Sequence, residues 1–136
     1  MRVIISSYAD LLSAATRQPQ PQRLLFAFAR AELPPGSDSS QQQRFEQRQG
    51  GALTAVMCVD KLPQELSDFE QLVAESQHTG KTWDVVFVTS MSGQAGLAPS
   101  SEAASRPLDM MVQSIRNGNI GQYLAFNRAG ELLHFS

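Results

Sequence analysis

A thiol and two imidazoles are the sharpest reagents in this sequence, and they stand far apart: Cys58 in AVMCVDK, His78 in ESQHTGKTW and His134 in ELLHF. Cys58 is the only cysteine. Nucleophilic catalysis at such a thiol needs a cation or a facing imidazole to lower its pKa, and only the fold could bring His134 alongside. The competing reading is a core residue, because a free cysteine in an apolar strand behaves as a small hydrophobe. His134, near the rim of a terminal strand, is a candidate base or a partly packed histidine bonded to backbone. His78, at a helix end, is explained by the negative end of the helix dipole.

A second place where chemistry could gather is SMSGQAG, from Ser90 to Gly96. It follows a strand and precedes a helix, the setting in which backbone amides often hold an anion. Ser90, Ser92, Gly93 and Gln94 are therefore the candidate ligand-binding residues. The segment lacks the lysine of a phosphate loop and the Gly-x-Gly-x-x-Gly order of a dinucleotide fingerprint, so it also reads as a flexible connection. One cysteine and two widely separated histidines give none of the short spacings of a zinc site, and no calcium loop is present. No metal and no cofactor are expected.

The elements that must position these residues follow from patterning. Ser6 or Ser7 can cap a first helix, with Asp10 three residues after Ser7 in a capping-box arrangement and Tyr8, Leu11, Leu12 and Ala15 at helical spacing. The prolines of TRQPQPQ end it. Arg23 to Ala31 is apolar on both alternating faces, as expected of an inner strand covered on two sides. From Pro34 to Gly51 the chain turns polar, with Phe45 as its one large apolar residue; this reads as a flexible lobe, with a short surface helix around Gln41 to Gln49, or as a lid or partner-binding arm.

Ala52 to Val59 is the second strand, with Thr54, Val56 and Cys58 on one face and Leu53, Ala55, Met57 and Val59 on the other. DKLPQEL starts the next helix, Pro63 suiting its first turn and Phe69, Leu72 and Val73 forming its buried stripe. Trp83 to Thr89 is the clearest strand in the chain. A helix from Arg106 or Pro107 to Arg116 buries Leu108, Met111, Val112 and Ile115 and stops at NGN. GQYLAFN and ELLHF close the chain as a hairpin whose loop places Gly130 at the bulge position. The expected architecture is a single α+β domain over residues 1–136, with a five-stranded mixed or mostly antiparallel sheet, about three packed helices and a C-terminal hairpin.

Length and charge narrow the partners. A chain of 136 residues can bury roughly two thirds of the surface its unfolded form exposes. With 13 acidic and 11 basic side chains and a net charge of -2, it offers no basic stripe for phosphates, and nucleic acid is not an expected partner. Phe26, Phe28, Phe87, Tyr123 and Phe126 all fall in strands, where core packing explains them better than base stacking. No apolar run approaches the roughly 20 residues of a membrane span, the amino end is too short in apolar residues for a signal peptide, and a lone cysteine fits a reducing cytosol.

The segments PQRLLFAFARAELP, GGALTAVMCVDKLP, WDVVFVTSMSG and GQYLAFNRAGELLHF, in this order and over almost the whole chain, resemble a small family of uncharacterised bacterial proteins sometimes labelled as a ribonucleotide reductase alpha subunit. The resemblance implies no established activity. A reductase of that kind needs a radical-carrying cysteine and a redox-active pair, whereas this chain holds one thiol; no catalytic or binding residue carries over. The reading that follows is a cytoplasmic domain acting through self-association or an unknown protein partner, its apolar strands leaving an edge open for pairing. The alternative is a small enzyme or small-molecule-binding domain with a pocket at Ser90–Gly96 and Cys58 or His134 at its rim.

Overall fold

Ser7 and Asp10 begin the first helix as the spacing predicts. Ser7 Oγ accepts from the Asp10 amide at 3.1 Å, and the Asp10 carboxylate reaches back to Ser6, accepting from its amide at 3.1 Å and its hydroxyl at 2.8 Å. These bonds hold the Asp10 carboxyl below its ordinary pKa. The computed structural model describes residues 5–32 and 52–134; the polar lobe expected at 34–51 lies outside the described residues. In chain order the elements are α1 (Tyr8–Thr16), β1 (Gln22–Glu32), β2 (Ala52–Lys61), α2 (Phe69–Gln77), β3 (Val85–Ser92), α3 (Ser105–Asn117), β4 (Leu124–Asn127) and β5 (Leu132–Leu133).

The five strands form one sheet in the order β2-β1-β3-β4-β5, and every neighbouring pair is antiparallel. Because β2 and β3 both flank β1, they run parallel to each other, which is why α2 must cross the sheet between them. β1 lies inside, as its two apolar faces require. Leu24, Phe26 and Phe28 join Val86, Val88, Phe126, Leu72, Tyr8 and Leu11 in one core beneath α1 and α2. Leu25, Ala27 and Ala29 join Val85, Phe87, Ala125, Met111 and Ile115 in a second core beneath α3. The result is a small α+β domain with helices on both faces of an antiparallel sheet.

Strict alternation fails in β2, and the cause is local. Phe28 opposes Met57 while Ala29 opposes Ala55, so Val56 is an extra residue that bulges from the ladder. Beyond the bulge the phase reverses: Val56, Met57 and Val59 pack with the first core, and Leu53, Ala55 and Cys58 with the second. Cys58 thus shares a face with Leu53 and Ala55, not with Val56.

Element boundaries also differ from the sequence expectation, β4 and β5 being shortened to Leu124–Asn127 and Leu132–Leu133. Pro63 opens a separate 3-10 turn, Pro63–Glu65, whose Glu65 carboxylate accepts from the Leu62 amide at 2.7 Å; α2 starts later, under an Asp68 cap that accepts from the Gln71 amide at 2.9 Å. β3 runs on through Ser92 because Ser90, Met91 and Ser92 pair with Leu24, Arg23 and Gln22. Trp83 precedes the strand. Its indole N–H donates to Ser76 Oγ at 2.8 Å, and that hydroxyl donates to the Val73 carbonyl at 2.6 Å, so the buried polar atoms of both side chains are satisfied. Gly130 takes φ 83° in the four-residue connection, 128–131, between β4 and β5, the bulge geometry expected of it.

Candidate functional site

Cys58 and His134 are placed at opposite margins of the sheet. Cys58 lies on β2, one outer strand, and His134 follows β5, the other. Four strand spacings separate them, roughly 19 Å. Cys58 is half-buried against the α3 side, where burial and then the Asp109 carboxylate push its thiol above the ordinary value. Both causes oppose thiolate formation. His134 is exposed, and His78 is the exposed C-cap of α2, its amide donating to the Glu75 and Ser76 carbonyls. Among the described residues, no three His, Cys, Asp or Glu side chains cluster in a way that could hold a metal ion.

The Ser90–Gly96 segment is built as strand and tight turn. Ser90 and Ser92 sit in β3, Ser92 Oγ accepting from the Gln22 amide group at 3.0 Å. The Gly93 amide donates to the Pro21 carbonyl at 2.8 Å, Gln94 and Leu97 exchange amide–carbonyl bonds of 3.0 and 2.9 Å, and the Gly96 amide donates to Gln20 Oε1 at 2.9 Å. Ala95 and Gly96, with φ 54° and 79°, make the two-residue hairpin turn between them. These amides are committed to the chain itself. Ser90 and Cys58 also lie on opposite faces of the sheet, since Ser90 continues the Val86 and Val88 row while Cys58 faces the second core.

Two features less visible in sequence stand out. The first is a groove of about 750 Å³ bordered by the starts of α1 and α2 and by the β4–β5 loop, where Arg128 lies 5.3 Å from the Trp83 ring centroid. Tyr8 lines it and is buried, its ring meeting Phe69 and Phe126 edge-on at 5.3 and 6.0 Å. Among the described residues the Tyr8 hydroxyl has no hydrogen-bond partner, and burial, then the charges of Glu75 and Asp68, hold it far from ionisation.

The second is the free side of β2. Among the described residues this ten-residue strand pairs only with β1, whereas the opposite margin, β5, is two residues long. From Ala52 to Val59 it carries no charge and no proline. The charges that follow are neutralised within the domain: Asp60 accepts from Arg23 at 2.6 Å, with Arg23 Nε donating to the Pro99 carbonyl at 2.6 Å, and Lys61 lies 3.6 Å from Glu75. Residues 53 to 59 are only partly covered, apart from exposed Thr54, so apolar surface flanks the edge on both faces. Strand alternation hides this feature, because an inner strand and an uncovered outer one read alike; only the strand order distinguishes them.

No family model, curated protein or solved structure matches the chain.

Proposed function

We propose that this chain is an interaction domain that self-associates through the free edge of β2, pairing it with β2 of a second copy. The carrying observation is the ten-residue outer strand itself, uncharged over its first eight residues and half-covered on both faces. Unpaired N–H and C=O groups along such a strand are a template for another strand, and domains that stay apart blunt it with lysine, proline, a bulge or shortness. Here β5 is shortened and β2 is not. The Val56 bulge twists the edge without placing a charge on it. A second copy suits the flanks as well as the edge, since a partner with helices on both sides of its own sheet would cover Leu53 and Ala55 on one face and Met57 and Val59 on the other.

The reading places the chain in the cytoplasm, in keeping with its single thiol; among the described residues no helix is long and apolar enough to cross a membrane. A small-molecule site at Ser90–Gly96 has less support, because the amides there are already bonded and neither Cys58 nor His134 adjoins them. The test is light scattering on a size-exclusion column over a range of concentrations. Thr54→Lys, at an exposed position on the edge, should leave thermal unfolding unchanged at concentrations too dilute for association and weaken association about tenfold or more, equivalent to about 1.4 kcal/mol. Leu97→Ser and Met110→Ser, which remove large exposed apolar side chains elsewhere among the described residues, should leave association intact. Loss of association in those variants but not in Thr54→Lys would overturn the assignment to β2.

A further inference from the structure

We draw no further inference here: the strongest candidate, the groove between the first turns of α1 and α2 and the β4–β5 loop, carries nothing because Ser7 and Asp68 already cap both helices and nothing in the structure shows what covers it.

Discussion

Cys58 combines two influences of the same sign, partial burial and the nearby Asp109 carboxylate, and both favour the neutral thiol. A thiol pKa raised in the folded state contributes stability below its unfolded pKa, and that contribution is lost as pH rises through the folded value. Alkylation of the native protein at pH 7 to 8 should therefore be much slower than in denaturant, with a midpoint above the ordinary 9.0, and Asp109→Asn should shift that midpoint down. Rapid modification at neutral pH would contradict the placement of Cys58. Tyr8 offers a separate test. Its hydroxyl is buried without a partner among the described residues, a desolvation cost with no compensating bond there. Tyr8→Phe keeps the ring contacts to Phe69 and Phe126, so it should be neutral or stabilising by about 1 kcal/mol in urea unfolding. A comparable loss would mean that the hydroxyl is bonded after all. The sequence shows Tyr8 as part of a helix stripe, but the stripe says nothing of where the ring's oxygen ends.

At the scale of elements, backbone fit decides where substitution is tolerated. A Cβ on Gly93 would stand 2.0 Å from the Leu97 carbonyl oxygen and 2.9 Å from that of Pro21, both backbone atoms that anchor the turn after β3. Gly93→Ala should cost about 2–4 kcal/mol in denaturant unfolding. Gly96 has φ +79° with open space around it, so Gly96→Ala should cost only about 1 kcal/mol, from left-handed backbone alone. Equal costs at the two positions would refute the close packing of this turn. The existence of nearly every element is legible from period and punctuation: the apolar double face of β1, the Ser7 cap, the NGN stop at Gly118 and the Gly130 loop. The phase of β2 beyond Val56 is not, because a bulge is specified by the match of two ladders and leaves no mark in either strand alone. Likewise Pro63 is compatible with any first helical turn, and only Asp68, with its bond to the Gln71 amide, shows where α2 begins.

For the whole molecule, the strand order β2-β1-β3-β4-β5 carries most of the functional argument. It buries Leu24 to Ala29 of β1, sends Cys58 and His134 to opposite margins and, among the described residues, leaves β2 outermost. Sequence pattern supplies the strands and their apolar faces, but strand order arises from long-range packing of α2 and α3 across them, and no local signal encodes it. A catalytic grouping of Cys58 with His134 therefore looks open in the sequence and is separated by the sheet. The most direct measurement of the central claim is amide hydrogen exchange at low and high protein concentration. Self-association through β2 predicts that amides within Ala52–Lys61 gain protection as concentration rises, while those of β5 and α3 do not change. Protection in β2 that is independent of concentration, or a gain confined to another element, would contradict it.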